Sequence, residues 1–302
     1  MSNYDYHTPV MLNECIEGLN INPSGTYVDV TFGGGGHSRE ILKHLNKDGK
    51  LLAFDQDADA KQNIIDDERF IFIDQNFRYL KNFCRLHDSM PVDGILADLG
   101  VSSYQFDQAE RGFSIRFDAE LDMRMNRQSA LSAKEVVNTY SEAELHRIFG
   151  IYGEIQNAKS LANTIVTARL NAPIVTVADL KNAIINRIPR GKENKYLAQV
   201  FQALRIEVNQ ELEALKDFLI QTASVLVSGG RLVVMSYHSL EDRLVKNFIA
   251  KGKFSGEVEK DFYGNDNKPF DAVSRGAITA SEDEIKNNNR ARSAKLRIAV
   301  KK

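Results

Sequence analysis

The stretch Tyr27-Val28-Asp29-Val30-Thr31-Phe32-Gly33-Gly34-Gly35-Gly36-His37-Ser38 limits what this chain can fold into more than any other. An apolar, β-branched run meets four consecutive glycines, and Ser38-Arg39-Glu40-Ile41-Leu42-Lys43-His44-Leu45 then has the apolar spacing of a helix. Strand, glycine turn and helix in that order let a ligand approach the backbone, since glycine tolerates positive φ and carries no side chain. The free N–H groups of the helix start favour an electron-rich partner. The next strand candidate, Lys50-Leu51-Leu52-Ala53-Phe54-Asp55, ends on a carboxylate 22 positions after Gly33. A doubly wound nucleotide fold sets its ribose-binding acid at about that distance. The chain reads as a nucleotide-cofactor enzyme.

Two cofactors compete, a dinucleotide and S-adenosylmethionine. The dinucleotide pattern G-x-G-x-x-G fits poorly, because Ser38 stands where the third glycine belongs. Asp29, just ahead of the glycines, suits a cofactor with a cationic amino-acid end.

Beyond Asp55 the sequence predicts a helix around Asp57–Asp66, a strand at Phe70–Ile73, a helix near Phe77–His87 and a strand over Val92–Gly100. Phe77 is placed to bring a ring near the cofactor. Asp98 falls at the carboxyl end of a strand apolar enough to be buried on both faces, which is where ligands of open parallel sheets bind. Ahead of this series, Thr8 and Pro9 open a predicted helix that Gly18 closes. The alternation gives an α/β architecture with a doubly wound sheet.

The next convincing strand, Gly229–Ser236, lies well over a hundred residues past Asp98, far more than one crossover requires. An all-helical insert is therefore expected, with capping-box starts at Ser141-x-x-Glu144 and Thr176-x-x-Asp179 and one long helix from about Lys195 to Val225. The expected division is a core of residues 1–107 and 208–302 around an insert of residues 108–207 that recognises substrate. Between strand and insert, Ser102, Ser103, Arg111 and Arg116 stand among aromatics, a mixture suited to phosphates and bases. His238 follows Ser236 at a strand end. Residues 252–288 read as a mobile loop, and residues 292–300 as a last half-exposed strand.

At 43% hydrophobic and 26% charged residues the composition is globular rather than disordered. No run is long enough to span a bilayer, and the first residues lack a signal-peptide core. Cys15 and Cys84 form neither a disulfide framework nor a zinc pattern, so no metal is expected and a reducing cytoplasm is the simplest location. Net charge is −2, but Lys286, Arg290, Arg292, Lys295, Arg297, Lys301 and Lys302 run to the end without an acid, and Arg187, Arg190, Lys192 and Lys195 form a second cluster. Local clusters of this kind can track a phosphate backbone.

Several motifs together resemble the RsmH (MraW) family of bacterial ribosomal RNA small-subunit methyltransferases H. They are Thr31-Phe32-Gly33-x-Gly35-Gly36-His37-Ser38, Asp93-Gly94-Ile95-Leu96-x-Asp98-Leu99-Gly100-Val101-Ser102-Ser103-x-Gln105, Arg111-Gly112-Phe113-Ser114, Leu121-Asp122-Met123-Arg124-Met125, His238-Ser239-Leu240-Glu241-Asp242-Arg243 and Arg290–Arg297. The resemblance spans nearly the whole chain. It differs at Gly34, in a variable slot, and at Tyr237, where the family usually has Phe.

The resemblance implies a Rossmann-like methyltransferase core and methyl transfer from S-adenosylmethionine to the exocyclic N4 of a cytidine in the decoding region of 16S rRNA. The expected substrate form is the small ribosomal subunit. The resemblance places Gly35, Gly36 and His37 at the cofactor, Asp55 on the ribose, Phe77 beside the adenine, and Asp98 and Gln105 near the strand end; Gly33, the first glycine of the turn, joins the expected cofactor set. Methylation at C5 normally needs a Cys nucleophile, and neither cysteine here sits at a strand end. Asp98, or the backbone carbonyls of Leu99–Val101, would accept the amine's N–H. Arg292, Lys295 and His238 join the substrate set. The competing readings are a nicotinamide oxidoreductase, a methyltransferase acting on another acceptor, and a non-catalytic RNA-binding protein on the same fold.

Overall fold

The computed structural model describes residues 9–302. They form two compact units, one made of the chain up to Gly100 together with Leu212–Lys302, the other of Val101–Glu211. The second unit is wider at both ends than the insert of residues 108–207 read from the sequence.

The first unit holds a seven-stranded sheet of β1 (Thr26–Asp29), β2 (Lys50–Phe54), β3 (Phe70–Ile73), β4 (Val92–Asp98), β5 (Leu226–Ser236), β6 (Phe270–Ala272) and β7 (Lys295–Lys301). Their order is β3-β2-β1-β4-β5-β7-β6. The first five are parallel, and β7 runs antiparallel to both β5 and β6. Strand order reverses between β1 and β4, the switch point beyond which open parallel sheets bind ligands.

Continuous apolar strands follow from burial on both faces. Val28, Leu52, Phe54, Ile95, Ala97, Leu232 and Val234 point to one face, whereas Tyr27, Leu51, Ala53, Leu96, Val233 and Met235 point to the other. Successive residues alternate between two cores, as the period of two in a strand requires.

The helices in chain order are α1 (Leu12–Leu19), α2 (Gly36–His44), α3 (Leu80–Leu86), α4 (Ser103–Asp107), α5 (Ala133–Thr139), α6 (Glu142–Ile151), α7 (Ala158–Arg169), α8 (Val177–Ile184), α9 (Glu193–Asn209), α10 (Glu211–Val225), α11 (Ser239–Lys251) and α12 (Glu282–Asn287). Helices α3, α10 and α11 cover the first face, and α1 and α2 cover the second. Helices α4 to α9 make up the second unit around its own apolar core. Both capping boxes form, at Ser141–Glu144 on α6 and Thr176–Asp179 on α8.

Four elements differ from expectation. The long helix breaks at Gln210, whose φ of 51° is left-handed and whose N–H turns back to Glu207 O and Ile206 O. The apolar stripe continues through this break, so periodicity alone passes over it. Around Asp57–Asp66 only a short tight helix forms, Ala58–Asn63, opened by the Asp57 side chain. Helix α1 ends at Asn20, in the left-handed region at φ 47°, rather than at Gly18; Thr8 lies outside the described residues. Residues 252–288 contain β6 and α12 instead of being one loop.

Candidate functional site

The chain leaving β1 stays tied to both neighbouring strands, Val30 N–H to Leu96 O (2.9 Å) and Phe32 N–H to Phe54 O (2.9 Å), before the glycines begin. Gly35 then caps α2 at φ +75°. A Cβ on Gly36 would lie 2.3 Å from Pro9 Cγ, so the protein's own N-terminal strap requires that glycine. His37 fastens the same strap, with Nε2 3.2 Å from Val10 O. A carbonyl only accepts, so Nε2 carries the proton.

Three carboxylates surround this turn. Buried Asp29 accepts from Ser38 Oγ (2.7 Å) and Thr31 N–H (3.0 Å). Asp55 accepts from Gly33 N–H and Asp57 N–H, both at 2.8 Å. Burial pushes its carboxyl up to about 7; those two N–H groups oppose the rise, while Asp57 and Asp29 add to it. Asp98 receives the Tyr237 hydroxyl on Oδ1 at 2.7 Å, and its Oδ2 lies 3.9 Å from His37 Nδ1. Burial pushes this carboxyl up to about 6, against the pull of His37 and Tyr237. The Asp98 N–H is anchored on Thr31 Oγ1 at 2.7 Å, which ties β4 to the β1 turn.

Carboxylates with raised pKa are held in an environment that disfavours their charge, and a cationic ligand relieves that cost. A pyrophosphate would meet the opposite field. Arg39, the arginine of the turn, donates to Gly34 O (2.6 Å) and Asn63 O (3.1 Å). The cluster therefore fits a cofactor bearing a sulfonium and an ammonium, with Asp55 suited to ribose hydroxyls.

The first unit thus brings together Gly33, Gly35, Gly36, His37, Asp55 and Asp98. Phe77 is partly buried and packs edge-on against Phe218, with ring centroids 5.5 Å apart. Gln105 lies in the second unit, buried, where it forms a capping box with Ser102 at the start of α4. Ser103 is the first residue of that helix.

Two residues expected to meet substrate have partners inside the fold. Arg111 is 1% exposed, and its Nη2 donates to Arg124 O (2.9 Å) and Met125 O (3.1 Å). Beside it, a Cβ on Gly112 (φ +69°) would lie 2.4 Å from Glu120 O. The Arg111–Ser114 and Leu121–Met125 motifs are thus one folded knot, clamped by Asn209 on Met123 O and Met125 N–H. His238 caps α11, accepting from Glu241 N–H at 3.5 Å, and its Nε2 lies 3.2 Å from Glu241 Oε1. The same Nε2 is buried and makes no hydrogen bond among the described residues. Arg116, Arg292 and Lys295 are exposed, and Lys295 Nζ lies 3.5 Å from Asp242. Sequence reasoning gave Tyr237 no role. The available signal was its place just past β5, where Met235 pairs in register with Asp98.

A largely parallel sheet with a glycine turn and partly buried acids at its switch point, built on a Rossmann-like plan, defines an S-adenosylmethionine-dependent methyltransferase. Residues 5–302 match the model of the MraW methylase family, and the chain belongs to that family. It is 62% identical over 296 residues to a protein of Cytophaga hutchinsonii (97% of this chain, 99% of that one). It is 59% identical over 297 residues to one of Christiangramia forsetii, covering 98% of each. Both relatives carry the name ribosomal RNA small subunit methyltransferase H. A solved rRNA methylase from Streptococcus thermophilus is a looser match, at 12% identity and TM-score 0.42 over 96% of this chain and 93% of that one.

Proposed function

We propose that this protein transfers a methyl group from S-adenosylmethionine to the exocyclic N4 of a cytidine in the decoding region of 16S rRNA, within the small ribosomal subunit. The observation that carries the chemistry is the carboxylate cluster Asp29, Asp55 and Asp98 around the glycine turn. The names of the relatives, which share over half their residues with this chain, support the RNA. S-adenosylmethionine supplies an electrophilic methyl group. Gly33, Gly35, Gly36, His37 and Asp55 hold the cofactor, and Phe77 lies beside its adenine. Asp98 accepts an N–H of the acceptor amine and takes its proton as positive charge develops on nitrogen. Alignment of this kind can lower a barrier by roughly 7–11 kcal/mol.

Both thiols favour an amine acceptor over ring carbon. Cys15 and Cys84 are fully buried, and burial pushes the Cys15 thiol well up and the Cys84 thiol to about 12. Neither offers a thiolate for attack on C6. The target base must leave its stack to reach the donor. Exposed Arg116, Arg292 and Lys295 suit phosphate contacts.

The test uses methyl-labelled S-adenosylmethionine with small subunits lacking the modification and with naked 16S rRNA. Label recovered as N4-methylcytidine, above all in subunits, supports the reading. Label on another atom, or none in either RNA despite cofactor binding, overturns it.

A further inference from the structure

We infer that Tyr237, standing where the family usually has Phe, is a positioning residue particular to this chain: its hydroxyl fixes the Asp98 carboxyl and leaves Oδ2 as the oxygen that meets the acceptor amine. This rests on the assignment of Asp98 under the proposed function. The Tyr237 hydroxyl is 2.7 Å from Oδ1. Its backbone N–H donates to Glu241 Oε2 at 2.9 Å, and Glu241 is itself buried in the capping box that opens α11. The ring packs beside Gly100, where a Cβ would lie 3.4 Å from Tyr237 Cδ2. Leu99 N–H reaches Met235 O at 3.0 Å, joining the ends of β4 and β5. Helix cap, strand register and aromatic packing thus aim one hydroxyl at one carboxylate oxygen.

Among the described residues, the groups whose charge acts on Asp98 include His37 from α2, Asp29 from the end of β1, Cys15 from α1, Tyr237 from beyond β5 and Glu241 from α11. Among them Tyr237 holds the close hydrogen bond to Oδ1. Burial first, then Asp98 itself, pushes the phenol well above its ordinary value, so it keeps the proton that it donates to the Asp98 carboxylate. A donated hydrogen bond favours the ionised carboxylate, so Tyr237 counteracts the rise that burial imposes on Asp98. His37, with Nδ1 3.9 Å from Oδ2, and the neutral Tyr237 hydroxyl on Oδ1 both act against that rise.

Tyr237→Phe removes the hydroxyl and keeps the ring. Carboxyl carbons of labelled aspartate are followed by NMR across pH, with Asp98→Asn to assign the signal. The midpoint of Asp98 should rise by about one pH unit in Tyr237→Phe. The acidic limb of kcat for methyl transfer should move by the same amount, while KM for S-adenosylmethionine holds. At a pH well above the new midpoint kcat should stay depressed, because the freed carboxyl is no longer oriented. In an Asp98→Asn background, Tyr237→Phe should change neither the profile nor kcat.

An unmoved Asp98 midpoint, or an equal loss of kcat in the Asp98→Asn background, overturns the inference and leaves Tyr237 a packing residue. Failure of the wild type to methylate RNA would sink the proposed function instead. The NMR titration would still decide whether Tyr237 sets the charge of Asp98.

Discussion

Charged side chains lie wholly or partly inside both units, but in opposite ways. In the second unit Arg111 lies inside the fold with carbonyls of Arg124 and Met125 on its guanidinium, and Arg205 is paired fork to fork with Glu211 at 2.8 and 3.0 Å. In the first unit Asp55 and Asp98 are held with their carboxyls raised to about 7 and about 6. Each arginine has protein oxygens on its guanidinium, although the Nε atom of Arg111 is buried and makes no hydrogen bond among the described residues. The aspartates are only partly compensated, by backbone N–H groups and one phenol. A buried charge satisfied by its own fold marks architecture, whereas one left in a costly state marks a place where a ligand finishes the work.

The sharpest way to break this contrast is Arg111→Met, which keeps the apolar stem and strands two carbonyls. Urea unfolding should show a loss of about 3 kcal/mol, while the folded fraction binds RNA as before. Lost RNA affinity with unchanged stability would return Arg111 to the substrate surface. Asp98→Asn should act in the reverse sense, leaving unfolding nearly unchanged and lowering kcat roughly 100-fold. Near wild-type turnover in this variant would pass the acceptor role to the backbone carbonyls of Leu99–Val101.

A smaller effect separates binding from stability at one atom pair. Asp55→Asn should weaken S-adenosylmethionine about tenfold, near 1.4 kcal/mol. The sign of its stability effect follows from the raised pKa. The native carboxyl titrates near 7, above its unfolded value. The stability it contributes is therefore complete below the unfolded pKa and is lost as pH rises through 7. The ligand-free Asn variant should melt higher than wild type above pH 7, with the gap closing toward pH 4. For the same reason wild-type affinity for the cationic cofactor should strengthen from pH 5 to 8, as Asp98 and then Asp55 ionise. A flat profile would remove both acids from the cofactor's field.

The first unit was largely legible in the sequence because its signals are local. Strand, glycines and delayed acid fall in one short stretch, and burial on both faces makes each strand apolar throughout. What sequence could not give was long-range pairing. Arg111 in an Arg/aromatic loop looks the same whether its guanidinium faces RNA or the carbonyls of residues 124 and 125. His238 past a strand gives no sign in the sequence that it caps a helix on Glu241 N–H. The break at Gln210 was hidden because the apolar stripe runs through it, and the turn depends on one backbone dihedral. Tyr237 was passed over because its partner Asp98 is 139 positions away.

The smallest expected effect concerns exposed charges on each unit. Arg116 is exposed beside Phe117, itself 45% exposed, and Lys295 is exposed on β7 with only a loose approach to Asp242. If these contact phosphates, each substitution to Ala should weaken RNA binding uniformly across sequences and reduce the slope of log affinity against log salt by about one. Stability should change by less than about 0.5 kcal/mol, since neither side chain supports the fold. Measuring the two variants singly and together sharpens the comparison between satisfied and unsatisfied charge. Additive losses in slope would mean that both cations release counterions on the same RNA. A slope change at Lys295 alone would place the RNA on the first unit's strand end and leave Arg116 a solvated loop residue, so that the second unit, like its buried arginines, would be architecture.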